Sequence, residues 1–295
     1  MTKKSKIGCL VLVALAFLSV IVWYLHRTSI PVLEPRGPIA HQERQLIFIT
    51  LLMSTIVVVP VFGLLFTFAW KYRESNTKAR YSPELDGSRL AETIWWAVPS
   101  TLILVLGVII WSSSYQLDPW KSLQSANKPV TIQVVALDWK WLFIYPEQNI
   151  ATVNFVQFPG QTPVNFLVTA DAPMNSFWIP QLGGQIYAMP GMQTQLHLLA
   201  STDGNFYGSS SNISGSGFAG MHFVAKASSN ADFQKWVSSV RHSSSHLSLS
   251  QYGQLARPSQ NNPTTYYASA ETGLFDNIIG KYIGPLNGMP GMGPQ

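Results

Sequence analysis

The chain has 295 residues, of which 47% are hydrophobic and only 11% charged, less than half the charged share usual in soluble domains. Its formal charge is +5, but the excess basic residues sit at the ends of apolar runs rather than on a folded face, which is not the pattern of a nucleic-acid reader. A single cysteine, Cys9, excludes an intrachain disulfide and any multi-cysteine metal site.

Three apolar runs come first. Residues 7–25 follow Lys3, Lys4 and Lys6 and precede His26 and Arg27, the layout of a signal peptide or of an uncleaved anchor. Ala14-Leu15-Ala16 has cleavage-like spacing but lies inside the run, which is long for a signal peptide, so the anchor is the favoured reading. Residues 46–70 and 93–117 carry no charge, and at about 1.5 Å per residue each exceeds a hydrocarbon core of about 30 Å. Pro60 and Pro99 lie within them, which a lipid-spanning helix tolerates when neighbours satisfy the freed carbonyl. Trp70, Tyr72, Trp95, Trp96, Trp111 and Tyr115 gather toward the run ends, as interface anchors do. Between the runs, Lys71, Arg73, Lys78, Arg80 and Arg89 mark a cytoplasmic hairpin, which puts the large C-terminal part outside.

From Val130 the pattern changes to period two. Residues 130–137, 139–145 and 152–158 read as strands, and 163–169, 176–180, 185–189, 193–200, 205–208 and 220–226 are further candidates. About eight strands at this spacing predict an antiparallel sandwich. Residues 231–240 read as a helix with Phe233, Trp236, Val237 and Val240 on one face and Asp232 near its N-terminus. The expected divisions are an N-terminal signal or anchor segment with an exported linker (1–45), a transmembrane helical hairpin (46–117), the sandwich (118–228), a C-terminal helical region (229–284) and a disordered Gly/Pro/Met-rich tail (285–295).

Three local patterns carry little. Gly215-Ser-Gly-Phe-Ala-Gly220 matches a dinucleotide fingerprint but follows a serine-rich loop and enters a strand, where a phosphate site needs a strand before it and a helix after it. His242 and His246 have helical metal-ligand spacing, but serines separate them and no third ligand is evident. The Met-Pro-Gly-Met segments at 189–192 and 289–292 offer soft thioethers, but a turn and a mobile tail are the better readings.

Two spans followed by an exported sandwich with the aromatic strand Trp139-Lys-Trp141 resemble subunit II of the heme-copper oxidases. Asn175-Ser-Phe-Trp-Ile-Pro180, Gln185-Ile-Tyr-Ala-Met-Pro-Gly-Met192 and the stretch from Tyr207 to Met221 look like the segments that surround the dinuclear copper centre of cytochrome c oxidases. The resemblance implies a cupredoxin-like sandwich. The copper ligands, however, do not carry over: their places hold Asn175, Ser210, Asn212, Ser214 and Phe218, and of the family's set only Met221 remains. Serine hydroxyls are too hard and too weakly acidic to replace bridging thiolates, so no metal or cofactor site is expected in this chain. With Tyr145-Pro-Glu-Gln148, Leu255-Ala-Arg-Pro-Ser259, Tyr266-Tyr267 and Phe275-Asp-Asn-Ile-Ile279, the pattern is similar to subunit II of the bo-type ubiquinol oxidases, whose C-terminal region is rich in aromatics. Thr28 stands where many such subunits carry an acylated cysteine, which excludes lipidation there and adds weight to the anchor.

That resemblance implies a noncatalytic subunit of a proton-pumping enzyme of the bacterial inner membrane that oxidises ubiquinol and reduces dioxygen, with hemes, copper and the quinol site in a partner subunit I. Its expected partners are subunit I, other oxidase subunits and the lipid bilayer. Glu92, which opens the third run on the cytoplasmic side, matches the family's glutamate at the mouth of a proton pathway into subunit I, although a helix N-terminal acid is also favoured by the macrodipole alone. Trp139 and Trp141 are expected to pack beneath the empty loop or against the heme subunit, and Phe177, Trp178 and Phe218 to fill the copper's place with hydrocarbon. The alternative is a stand-alone membrane-anchored cupredoxin-like binding protein.

Overall fold

The computed structural model describes residues 30–78, 87–125 and 127–283, and before them residues 16, 17, 19, 20, 23, 24 and 27. Cys9, Thr28, Arg80, most of the first apolar run and the tail 285–295 lie outside the described residues. The chain forms two compact units, one of residues 42–122 and one that joins residues 1–41 to 123–295.

The first unit holds one long helix whole and another but for its first turn. α1 (Pro38–Lys71) begins earlier than the apolar run because Pro38 is pre-set for a helix start and Ala40 is buried. α2 (Arg89–Gln116) is capped by Ser88, whose side chain accepts from the Ala91 N–H. Both are long and apolar enough to cross a membrane. Their Leu, Val, Ile, Phe and Trp side chains are exposed along nearly the whole length, so a nonpolar environment must come from outside the chain. Thr55 and Thr67 return their hydroxyls to the Leu51 and Gly63 carbonyls, the usual way to satisfy a polar side chain in such a helix.

The second unit is a two-sheet sandwich. Its strands in chain order are β1 (Val130–Leu137), β2 (Lys140–Tyr145), β3 (Ile150–Val153), β4 (Phe155–Pro159), β5 (Val164–Ala170), β6 (Asn175–Trp178), β7 (Ile186–Ala188), β8 (Thr194–Leu198), β9 (Gly204–Ser210), β10 (His222–Ser228) and β11 (Thr265–Tyr267). One sheet runs β11-β3-β2-β1-β5-β8 and the other β4-β10-β9-β6-β7. The sandwich is mixed rather than wholly antiparallel, because β1 pairs with β5 and β4 with β10 in parallel. Residues 152–158 do not form one strand either. The chain breaks at Asn154, which takes the left-handed conformation (φ 55) and lets β3 stay in the first sheet while β4 crosses to the second. The Asn154 side chain secures the crossing by accepting from the Trp141 N–H at 2.9 Å.

Between the sheets lies an aromatic core. Phe177 is its centre, stacked on Phe223 at 5.2 Å and 5° and within 6.2 Å of Trp141, Phe143 and Phe166. α3 (Asn230–Arg241) adds Phe233, Val237 and Val240 to this core, with Trp236 against Tyr145 and Phe155. A second cluster covers the outer face of the first sheet: Val135, Leu137, Leu142, Ile144, Ala151 and Val153 meet Tyr252 of α4 (Leu249–Leu255), and Leu274, Phe275 and Ile278 of α5 (Leu274–Gly280). β1 and β2 are therefore buried on both faces.

Candidate functional site

β6 and β9 bring Asn175 and Ser210 together at one pole of the sandwich, where the loop 211–221 joins β9 to β10. Ser210 Oγ stands 3.0 Å from Asn175 Oδ1 and 3.2 Å from the Asn212 carbonyl, and it accepts from the Ser176 N–H at 3.3 Å. The Asn175 amide donates to the Pro173 carbonyl and the Asn212 amide to the Met174 carbonyl, each at 2.8 Å. Ser211 Oγ bonds Gln185 Oε1. Met221 is buried beside this network, its carbonyl accepting from the Ser210 N–H at 3.2 Å. The buried Ser176 and Ser214 hydroxyls have no partner, whereas Ser210, Asn175 and Asn212 are bonded to one another or to nearby carbonyls.

Trp139 closes the loop from the β1–β2 turn. It adopts a left-handed conformation (φ 61), donates from Nε1 to the Ser214 carbonyl at 3.3 Å, and lays its ring on Gly215 and Gly217. A Cβ at position 217 would sit 2.4 Å from that ring, so only glycine permits the approach. Of the three side chains expected to fill the pole with hydrocarbon, Phe177 is fully buried, whereas Trp178 and Phe218 are half-buried. Trp141 belongs to the core beneath, in edge contact with Phe177.

A dinuclear copper centre does not fit these residues. Of the positions that would supply its thiolates and imidazoles, Ser210 and Asn175 are neutral and engaged with protein partners, Ser214 is a neutral hydroxyl and Phe218 a hydrocarbon ring, and one thioether alone does not hold two metals. Among the described residues no three His, Cys, Asp or Glu side chains come together. His242 and His246 turn to separate partners, the Ser238 carbonyl and Ser269 Oγ. The Gly215–Gly220 motif leads into a short 3₁₀ turn at Phe218–Gly220 and then β10, not into a helix.

Glu92 lies in the first turn of α2, exposed, on a shallow groove lined also by Arg89, Thr93, Trp96, Ala97 and Ser100.

Two charged residues that the sequence did not single out stand at the same pole as the loop. Lys140 is 1% exposed and donates to the Arg257 carbonyl, Ser259 Oγ and the Asp138 carbonyl at 2.8, 2.6 and 3.2 Å. Burial pulls its pKa down, with the Asp138 carboxylate acting the other way. Asp171, directly after β5, accepts from Lys281 Nζ at 2.5 Å, from Tyr282 Oη at 2.7 Å and from Tyr252 Oη. A lone lysine inside an otherwise apolar strand was the one available signal; Asp171 offered none.

Two apolar helices followed by a two-sheet sandwich with a loop-bearing pole define the class: a membrane-anchored protein with a cupredoxin-like domain outside. Residues 111–228 match the family described as cytochrome c oxidase subunit II, periplasmic domain, and residues 241–285 match the COX aromatic rich motif. The chain is 52% identical over 249 residues to cytochrome bo(3) ubiquinol oxidase subunit 2 of Pseudomonas aeruginosa, covering 84% of this chain and 75% of that one. It is 50% identical over 258 residues to the same subunit of Pseudomonas putida, covering 88% and 82%. To ubiquinol oxidase subunit 2 of Acetobacter aceti it is 49% identical over 256 residues, covering 86% and 83%. The chain belongs to the family of bo-type ubiquinol oxidase subunit 2, within the subunit II proteins of the heme-copper oxidases.

Proposed function

We propose that this chain is the noncatalytic subunit 2 of a proton-pumping quinol oxidase in a bacterial inner membrane. The complex oxidises ubiquinol and reduces dioxygen to water, and the hemes, copper and quinol site belong to partner subunit I. The observation that carries the reading is the cradle at Ser210. A subunit that received electrons from a soluble donor would need a redox centre at this pole, and here its ligand positions hold hydroxyl, amide and hydrocarbon side chains, of which Ser210, Asn175 and Asn212 are already hydrogen-bonded within the protein. A lipid-soluble quinol delivers electrons directly to the heme subunit and makes such a relay unnecessary. The roles left to this chain are assembly with subunit I, through two helices whose apolar side chains are exposed along nearly the whole length, and proton entrance at Glu92.

Glu92 suits that role because its carboxylate is exposed at a helix start, where water can reach it to exchange protons. Substituting Glu92→Gln keeps the size and removes the exchangeable proton. Turnover of the assembled complex falls at least several-fold, while the apparent affinity for quinol is unchanged.

The test is purification of a tagged chain in mild detergent, with a heme spectrum, quinol-dependent oxygen uptake and metal analysis on the same sample. Co-purified heme with quinol oxidase activity is the expected result. A heme-free monomer would refute it in favour of a stand-alone binding protein, and copper held by the sandwich would refute the absence of a redox centre.

A further inference from the structure

The loop 211–220 reads Ser-Asn-Ile-Ser-Gly-Ser-Gly-Phe-Ala-Gly, a composition with high backbone freedom that is costly to order. Metal–ligand bonds would fix it, and this chain lacks the ligands. Trp139 grips one side of the loop, as described. The other side is covered by the segment 257–262 of the C-terminal region. Gln260 Nε2 donates to Ser216 Oγ at 3.4 Å, and the Asn261 side-chain oxygen lies against Gly220, 2.5 Å from where a Cβ would stand. The Asn262 carbonyl accepts from Asn154 Nδ2 at 2.9 Å, which ties the segment to the β3–β4 crossing. Within the segment, Ser259 Oγ donates to Asn262 Oδ1 and the Asn262 amide returns to the Ser259 carbonyl, both at 3.0 Å.

Lys140 holds both grips in register. It follows Trp139 directly, and its ammonium group donates to Arg257, Ser259 and Asp138, all uncharged oxygens. Burying an ammonium with no carboxylate in hydrogen-bond contact is expensive unless each N–H finds an acceptor, and here the three protons have three. Nothing in the sandwich core requires a charge at this position; the acceptors that make it tolerable come largely from the C-terminal segment.

We propose that segment 257–262, anchored by Lys140, is the metal-free organiser of the loop 211–220, doing by hydrogen bonds and contact what bound metal does where a metal is present. Lys140 is thus a positioning residue for the pole that faces the former copper cradle. The proposal rests on the reading of this chain as copper-free.

Hydrogen–deuterium exchange of the assembled, purified complex tests it, comparing peptides within 211–220 with control peptides within 156–170, with and without a copper chelator. Lys140→Met and Ser259→Ala each raise exchange of the loop by about tenfold or more, while the control peptides keep wild-type protection and Ser259→Thr, which retains the hydroxyl, keeps the loop protected. Should Lys140→Met loosen the control peptides too, Ser259→Ala decides, since its side chain lies outside the sandwich core. Wild-type loop protection in Ser259→Ala would overturn the proposal. Loop opening by chelator alone, in the wild type, would instead overturn the copper-free reading.

Discussion

Replacing Asp171 by Asn isolates the second charged anchor of the C-terminal region. The Asp171 side chain is 8% exposed and collects three donors from that region: Tyr252 Oη, Lys281 Nζ and Tyr282 Oη. The Lys281 ammonium also stands 4.8 Å from the centre of the Tyr252 ring. Burial alone would raise the carboxyl pKa, but the bonds from Lys281, Tyr252 and Tyr282 outweigh it and hold the group below the usual carboxylate range. The same bonds push the Tyr282 phenol up to about 12, and burial together with Asp171 pushes Tyr252 up further. Asparagine keeps one acceptor oxygen but turns an NH₂ toward donors, so charge-assisted bonds worth about 1.5–3 kcal/mol each are lost or weakened. Lys281 is half exposed, which discounts its share, and the net cost of opening the region falls by about 2–4 kcal/mol. At 1.4 kcal/mol per factor of ten, limited proteolysis within 241–283 of the assembled complex speeds up by roughly 30-fold to several hundredfold. Cleavage within about threefold of the wild-type rate would refute the anchor. The acid dependence has a fixed sign. Because the folded pKa lies below that of the unfolded chain, near 3.9, the stabilisation is fully present above that value and is lost as pH falls through the folded pKa. The wild type therefore loosens in that acid window, and Asp171→Asn shows no such step.

Phe177→Ala removes the centre of the aromatic core and lowers the stability of the whole sandwich by about 3–5 kcal/mol, read as a fall in the denaturant midpoint with the slope unchanged. Gly217→Val puts a branched side chain into the Trp139 ring, so the ring is displaced; tryptophan fluorescence and exchange of the loop change while the core peptides do not.

Strand positions were legible from period-two alternation, and the span of β1, Val130–Leu137, is the one read from the sequence. Pairing direction was not, because alternation carries no information about whether a neighbour runs parallel, and the β1–β5 and β4–β10 pairs are parallel. The break at Asn154 escaped notice because a single left-handed asparagine does not interrupt the apolar alternation on either side. The run from Ser210 to Met221 was legible as a cradle only through its resemblance to the copper-centre loop of the heme-copper oxidases. The anchors were not, since Lys140 finds Arg257 across 117 positions and Asp171 finds Lys281 across 110, and no local pattern encodes such distances.

β1 and β2 also explain why the C-terminal region is part of the fold rather than an appendage. A sandwich strand normally turns one face to water and keeps it polar, yet Val135, Leu137, Leu142 and Ile144 occupy the outer face of the first sheet. Left uncovered, that face would be a contiguous apolar patch of the kind that drives association. α4 and α5 cover it, β11 pairs with β3 at the sheet's edge, and the segment between α4 and β11 reaches the loop at the pole. The apolar burial supplies affinity without direction, because hydrocarbon contacts slide. Lys140 and Asp171 fix the register, because each is a buried charge satisfied only when particular groups of the C-terminal region stand in place. Division of labour between an apolar layer and two charged anchors lets a glycine- and serine-rich loop keep one conformation with no metal to define it.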